Sequence, residues 1–144
     1  MSEAQQNTMQ FELVSPEEKL VSEPVKMAVI PGEDGVLGVG PMHASLVASL
    51  NPGVVELYKE GEAKSYRKIF IAGGFADVTG TNCTVLAEEA VDLKNLDQTD
   101  LEQKLKNLQE DLGMASEKSD QIRIEAKIRM LKAKLSAVTG TLVV

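Results

Sequence analysis

The feature that most constrains the fold of this chain is a change in the spacing of apolar residues near Val91. Before that point, short runs such as FELVS, SLVASL and NCTVLAEEA alternate apolar and polar residues, as strands with one buried face do. After it, apolar residues recur every three or four positions, which is the period of an amphipathic helix. This order predicts an α+β fold, with an antiparallel β-sandwich over residues 1–91 and helices over residues 92–144. Residues 1–8 precede the first apolar run and are expected to be disordered.

The helical part is predicted to be a two-helix antiparallel hairpin. A stripe of leucines indicates a first helix over about residues 99–112, and a stripe of isoleucine and leucine indicates a second over about 119–138. Thr99 followed by Glu102 predicts a capping box at the start of the first helix, and Gly113 predicts its end. Since about six residues connect them, the two helices are expected to run antiparallel.

The net charge of −7 argues against nucleic acid as a partner. Acidic and basic residues cancel between Asp92 and Lys134, so the whole excess lies in residues 1–91, whereas phosphates require Lys and Arg. The opening residues MSEAQQNTMQ lack the basic and apolar regions of a signal peptide. No apolar run approaches the roughly 20 residues needed to span a bilayer. We therefore expect no direct membrane insertion, so that any contact with a membrane goes through partner proteins.

Cys83 is the single cysteine of the chain, so no internal disulfide can form. This fits a reducing compartment. Cys83 lies within TNCTVLA, an alternating run typical of a strand. We expect a buried thiol that packs as a small apolar side chain rather than a reactive one.

The stretch PGEDGVLGVGPMHASL, residues 31–46, fails as a phosphate-binding loop. Gly35 and Gly40 have the spacing of such a loop, but Pro41 and Met42 stand where Lys and Ser or Thr are needed. The dinucleotide pattern fails as well, because its third glycine position is occupied by His43. The glycines are therefore interpreted as permitting tight turns on a surface presented to another protein.

His43 is the single histidine of the chain, and no local motif pairs it with a nucleophile and an orienting carboxylate. One histidine among scattered carboxylates also lacks the spacing of a metal site. We therefore expect no catalytic residue, no metal and no cofactor, and His43 is interpreted as a polar contact at a surface.

Several separated motifs, in a fixed order, resemble one family. They are FELVSPEEKL, then PGEDGVLGVGPMHASLVASLNPG, then IAGGFADV and TVLAEEAVDL. Together they resemble the epsilon subunit family of bacterial F-type ATP synthases, whose mitochondrial counterpart is called delta. The resemblance covers about residues 9–138.

The resemblance implies a ten-stranded sandwich followed by a helical hairpin, and a non-catalytic role. Such subunits sit at the foot of the central stalk, join the gamma subunit to the ring of c subunits, and rotate with both during ion-driven ATP synthesis. It also implies a peripheral location on the cytoplasmic face of the bacterial inner membrane, within a proton-translocating complex. Contacts to the alpha and beta subunits through the C-terminal helices are a further implication.

The resemblance also assigns contact residues to the sandwich. Candidates for contact with the c ring are Glu33, Asp34 and Val36, and candidates for contact with gamma are Ser15, His43 and Ala48. Val36 departs from the family pattern, in which a carboxylate can occupy this position. A charged ring contact is therefore not expected at Val36.

Some relatives bind ATP through an (Ile/Leu)-Asp-x-x-Arg-Ala motif at the first helix. Here Leu96 and Asp97 match, but Asp100 and Leu101 replace Arg-Ala. Arg123 and Arg129 on the second helix are the cations that could compensate in part. An ATP-sensing regulatory module is therefore the alternative function. The degenerate motif instead favours a hairpin that responds little to ATP. An acid-rich first helix and the neutral, apolar last residues GTLVV favour weak inhibition of ATP hydrolysis.

Overall fold

The computed structural model describes residues 7–140, and the chain divides into two compact units, Met1–Asp92 and Leu93–Val144. Most of the segment predicted to be disordered, residues 1–6, lies outside the described residues. The first strand begins at Met9.

The first unit is built from ten short strands within the described residues. They are β1 (Met9–Val14), β2 (Lys19–Val25), β3 (Met27–Gly32), β4 (Gly35–Val39), β5 (Leu46–Leu50), β6 (Gly53–Tyr58), β7 (Arg67–Ile71), β8 (Gly74–Val78), β9 (Asn82–Ala87) and β10 (Ala90–Asp92). Burial alternates along β1 from Met9 to Val14, which is the pattern that one core-facing side produces.

The strands form a single sheet in the order β10-β7-β6-β3-β5-β8-β9-β1-β2, with β4 paired to β3 beside this path. The predicted fold class, a sandwich of about ten strands followed by a helical hairpin, is confirmed. One pairing departs from a purely antiparallel sheet, because β1 runs parallel to β9, with Gln10 opposite Asn82 and Val14 opposite Leu86. Alternation predicts that a strand forms, but it does not say which distant strand lies beside it.

The core of the sandwich is mostly aliphatic, and Phe11 is the aromatic ring among its fully buried members, which are chiefly Val, Leu and Ile. Phe70 is also fully buried but is not part of this cluster. Cys83 is also fully buried, as predicted. Burial, with a smaller contribution from the charge of Asp77, raises the pKa of the Cys83 thiol to about 12. The thiol is therefore an inert part of the core.

The second unit contains a short 3₁₀ turn, Leu93–Asn95, and two α-helices. Helix α1 spans Gln98–Met114 and α2 spans Lys118–Thr139, so only three residues connect them. The two helices pack against each other. The buried side chains belong to the predicted stripes and are Leu101, Ile124, Ile128 and Leu135.

The predicted caps of α1 were wrong. Asp97, rather than Thr99, is the N-cap, because its carboxylate accepts a hydrogen bond from the Thr99 backbone N–H at 3.0 Å. A carboxylate at this end also interacts favourably with the helix dipole. The helix continues past Gly113 to Met114 and ends in extended backbone at Ala115. In α2 a glycine does end the helix, since Gly140 adopts the left-handed conformation with a φ of 73°.

Within residues 7–140, no helix has the length and apolar character needed to cross a membrane.

Candidate partner-binding surface

The glycine-rich stretch forms the β3–β4 hairpin, and its turn presents Glu33 and Asp34 to solvent. These two residues join Gly32 to Gly35, which lie opposite each other. Gly35 has a φ of 139°, a conformation that side chains disfavour. A Cβ at Gly32 would lie only 2.5 Å from the Gly35 carbonyl oxygen. Both glycines are therefore required by the turn.

This turn is fastened to the neighbouring strand β5. The Glu33 backbone N–H donates to the Ser49 carbonyl oxygen at 2.8 Å, and the Asn51 N–H donates to the Pro31 carbonyl at 2.8 Å. Gly32 also pairs with Leu50. Hydrogen bonds at Pro31 and Glu33 therefore hold the β3 side of the turn to β5 and Asn51.

A groove of about 450 Å³ lies between the turn and β5. Its lining is formed by Gly32, Glu33, Asp34, Gly35, Val36, Leu37, Val47, Ala48 and Ser49. The three residues predicted to contact the c ring thus come together with Ala48, which was predicted to contact gamma. Val36 and Val47 are both 74% exposed, so the groove combines two carboxylates with uncovered apolar side chains.

His43 lies at the far end of β4, away from this groove. Its N–H donates to the Gly40 carbonyl at 3.2 Å, and its Nδ1 donates to the Ala44 carbonyl oxygen at 2.7 Å. The preceding Met42 has a φ of 65° and is 80% exposed. Its N–H donates to the Gly80 carbonyl at 2.7 Å. An exposed apolar side chain is therefore held on a backbone conformation that side chains disfavour.

Ser15 occupies the turn between β1 and β2. Its N–H donates to the Glu18 carbonyl at 2.9 Å, and the Glu18 N–H donates to the Ser15 hydroxyl oxygen at 3.4 Å. Ser15 also lines a shallow cavity of about 320 Å³ together with Phe75 and Leu86. It lies at the same end of the sheet as the Glu33 turn, because Val14, Leu86, Phe75 and Ser49 follow one another across four strands.

This row of residues is a candidate contact surface that the sequence analysis missed. Phe75 is 56% exposed and Leu86 is 53% exposed, and the two lie directly opposite each other on β8 and β9. Exposed aromatic and aliphatic side chains grouped on one sheet face are typical of protein–protein contacts. One signal was available, since Phe75 alternates with the exposed Asp77 and must therefore point outwards with it.

The residues of the degenerate nucleotide motif do not form one site. Asp97 caps α1, and the Leu96 side chain is half-buried. Arg123 pairs with Asp120 at 3.1 Å near the start of α2, while Arg129 is exposed further along. Because α2 begins where α1 ends, the 17 residues of α1 put Asp97 about 25 Å from the start of α2.

Among residues 7–140, no group of three or more histidine, cysteine or acidic side chains is placed to hold a metal ion. The arrangement instead offers carboxylates, backbone-fixed turns and uncovered apolar side chains. These features suit recognition of another macromolecule.

A family model described as "ATP synthase, Delta/Epsilon chain, beta-sandwich domain" matches residues 8–93. The chain belongs to the ATP synthase delta/epsilon family. The predicted family is thereby confirmed, and with it the prediction of a non-catalytic stalk subunit of the synthase.

Relatives in the family match over most of their length. The ATP synthase epsilon chain of Rhodospirillum centenum is 44% identical over 135 residues, which cover 92% of both chains. The epsilon chain of Rhodospirillum rubrum is 42% identical over 133 residues, covering 92% of this chain and 98% of that one. The match extends beyond the sandwich and includes the helical hairpin.

Two solved structures share the delta/epsilon fold. A chain in the mitochondrial ATP synthase of Euglena gracilis, described as OSCP/F1/c-ring, aligns with a TM-score of 0.77 and 25% identity, covering 92% of this chain and 82% of that one. A chain in the Tetrahymena thermophila central stalk and c-ring structure aligns with a TM-score of 0.58 at 12% identity, covering 90% and 96%. The second likeness concerns the fold alone.

Proposed function

We propose that the chain is the rotor subunit that couples gamma to the c ring during ion-driven ATP synthesis. Family membership supports this role, and the Euglena assembly that contains a similar chain includes both F1 and the c ring. The observation that carries the proposal is the fastened turn, where Glu33 and Asp34 project from a backbone that is hydrogen-bonded to Ser49 on β5 and to the following Asn51. A close-packed sandwich deforms little and can therefore transmit torque through such a turn.

In this proposal the groove beside the turn receives the c ring. The carboxylates of Glu33 and Asp34 accept hydrogen bonds from polar ring loops, and charge-assisted bonds of this kind are strong. Val36, being 74% exposed, supplies an apolar contact where relatives can place a charge. Ala48 lies in the same groove. We therefore assign it to the ring contact or to the boundary between the ring contact and the gamma contact.

The gamma subunit is proposed to cover the outer face of β8, β9 and β1. Ser15 marks one end of this face, beside the exposed pair Phe75 and Leu86. Burying such a pair excludes water from apolar surface, which favours binding. His43 and the exposed Met42 provide a further proposed contact at the opposite end of β4.

Attachment through these partners would place the chain on the cytoplasmic face of the bacterial inner membrane as a peripheral subunit.

Contact with alpha and beta is proposed for the helical hairpin. A groove of about 450 Å³ between α1 and α2 has Leu108, Met130 and Leu131 in its lining and lysines beside them. This combination favours a surface that is acidic and partly apolar.

Regulation by the hairpin is proposed to be weak and nearly independent of ATP. The motif acid Asp97 is used as a helix cap, and Arg123 is paired within its own helix. An ATP-sensing module remains the second candidate on the sequence motif alone. Titration of the chain with ATP tests it, and binding in the micromolar range would favour that alternative.

The coupling role is tested by reversing the charges of the turn. The double variant Glu33→Lys/Asp34→Lys should assemble less stably on the ring and uncouple ATP hydrolysis from proton pumping. Like or unpaired charges at such an interface cost several kcal/mol. The measurement is ATP-driven acidification of inverted membrane vesicles that carry the synthase with the variant subunit.

The matched control is Glu60→Lys/Glu62→Lys, which makes the same charge change in the exposed connection between β6 and β7. This variant should pump normally. If both double variants pump like the parent, the β3–β4 turn is not the ring contact. If both lose pumping equally, the overall charge of the sandwich matters rather than the turn.

A further inference from the structure

A single arginine joins the two edge strands of the sheet. Arg67 stands at the start of β7, and its Nη1 lies 3.1 Å from Glu23 Oε1 on β2. Its Nε lies 3.4 Å from Asp92 Oδ2 on β10. Since β2 and β10 are the two ends of the strand order, this guanidinium closes the gap between them.

These ion pairs are partly shielded from solvent. The Asp92 side chain is 13% exposed, while those of Arg67 and Glu23 are about one third exposed (32% and 31%). Shielded pairs are screened less by salt than fully exposed ones. The planar guanidinium also binds two carboxylates in a fixed geometry that a lysine ammonium does not reproduce. The contact is therefore specific to arginine.

Strand β10 is a short strand at one end of the strand order, where it pairs with β7. It has only three residues, all half-buried, and it pairs with β7 through Ala90–Ile71, Val91–Phe70 and Asp92–Ile69. A short edge strand loses little buried surface when it separates from its neighbour, so it opens more readily than a central strand. The pair between Arg67 and Asp92 fastens its last residue.

The position of Asp92 means that its ion pair with Arg67 affects the length of the connection to the helical hairpin. Asp92 is the last residue of the sandwich unit, and the segment leading to α1 follows at once. Any opening of β10 therefore lengthens the connection between the sandwich and the helical hairpin. Three extended residues add about 10 Å.

We propose that β10 can separate from β7 and so lengthen the connection between the two units. The two ion pairs of Arg67, called the clip below, keep β10 in place. With the clip in place, the connection begins after Asp92. With the clip broken, the connection begins near Glu89, and the hairpin gains reach while Ala90 loses its contact with the core. Ala90 of β10 packs against the core cluster, but no residue of β10 is among the buried members of that cluster. Opening of β10 therefore uncovers one edge of the core and leaves its buried members in place.

Hydrogen–deuterium exchange of the whole chain tests this device at the level of single segments. Arg67→Met removes both ion pairs while keeping a long apolar side chain. Amides of Ala90–Asp92 should then exchange at least tenfold faster, while amides of the buried strand β3 keep their protection. Lys68→Met is the matched control, because Lys68 lies beside Arg67 on β7 and forms an ion pair with Glu56 on the central strand β6, at 3.7 Å.

Two further variants separate the effects of the two ion pairs, Arg67–Asp92 and Arg67–Glu23. Asp92→Asn should speed exchange in β10 and leave β2 unchanged, whereas Glu23→Gln should do the reverse. The proposal is overturned if Arg67→Met leaves exchange in β10 unchanged. It is also overturned if exchange rises equally in β3 and β10, because Arg67 would then stabilise the sandwich as a whole. Neither readout requires gamma or the ring, so the result stands independently of the coupling role.

Discussion

Phe75 on β8 and Leu86 on β9 form a cross-strand pair on the outer face of the sandwich, and both side chains are more than half exposed. Facing side chains on neighbouring strands touch each other, so the pair makes one continuous apolar surface. Val14 extends it on β1, beside Leu86. The proposed gamma contact therefore joins the consecutive strands β8 and β9 to β1, which is distant from them in sequence.

We expect Phe75→Ser/Leu86→Ser to weaken binding to gamma by at least tenfold while changing stability little. Both side chains already contact solvent, so the folded chain loses little buried surface when they are shortened. Ile122→Ser is the control, since Ile122 is 57% exposed but lies on α2. Titration of purified gamma with each variant measures the effect. Equal affinities for all three proteins would exclude this face as the gamma contact.

Replacement of Met42 by glycine should stabilise the sandwich. The φ of 65° at Met42 costs a residue with a side chain about 1 kcal/mol relative to glycine, which corresponds to a rise in Tm of about 4 °C for a domain of this size. Met42→Ala removes the exposed side chain but keeps the strain, so it should give no such rise. Thermal unfolding followed by circular dichroism distinguishes the two. If alanine stabilises as much as glycine, exposure of the side chain and not the backbone is responsible.

Stability should fall as the pH rises from about 9 towards 12, and Cys83 should account for part of the fall. The folded chain keeps the Cys83 proton up to a pKa of about 12, whereas an unfolded thiol loses it near pH 8.5. In this range the folded state binds more protons than the unfolded state, so higher pH favours unfolding. Burial also raises the pKa of Tyr66 to about 12, which adds to the fall above pH 10.

Urea unfolding at several pH values between 8 and 10 tests the role of Cys83. The parent chain should lose stability over this interval, and Cys83→Ala should lose less. The change in the free energy of unfolding with pH is compared, rather than its absolute value, because the shorter side chain also leaves a small cavity. Parallel slopes for the two proteins would show that the thiol does not ionise on unfolding in this range.

Removal of residues 93–144 should leave a folded sandwich and raise ATP hydrolysis by the assembled synthase less than tenfold. The buried core cluster consists only of sandwich residues, so folding does not require the helices. Inhibition is expected to be weak because helical charges are already used locally, as in Lys104–Asp100 at 3.0 Å and Arg123–Asp120 at 3.1 Å. Circular dichroism and a coupled ATPase assay give the two results. An increase of tenfold or more would identify the hairpin as a strong inhibitor.

Local patterns predicted the elements well but not their ends. Four residues of the predicted helical stripes, Leu101, Ile124, Ile128 and Leu135, are buried as expected, because a helical face is defined by residues only a few positions apart. The N-cap was misplaced from Asp97 to Thr99, since both residue types favour this position. Only the hydrogen bond from the Thr99 N–H to the Asp97 carboxylate decides between them.

The candidate surface, too, was predicted from the sequence only in part. The turn of Glu33 and Asp34 could be predicted from its flanking glycines, because a short hairpin needs them locally. Placing Ala48 beside that turn and His43 away from it required the structure. The difference lies in the pairing of β3 with β5, which joins segments separated by more than a dozen residues.

The sequence by itself determined the two-part α+β organisation, the family and the exposed carboxylate turn, because each depends on neighbours along the chain. The tertiary structure decided which strands meet, and hence the parallel β1–β9 pair, the apolar face around Phe75 and the closure of both sheet edges by Arg67. Strand pairing depends on backbone hydrogen bonds that any residue except proline can donate. Side-chain chemistry therefore specifies a strand and its buried face, while the choice of partner follows from packing the whole core.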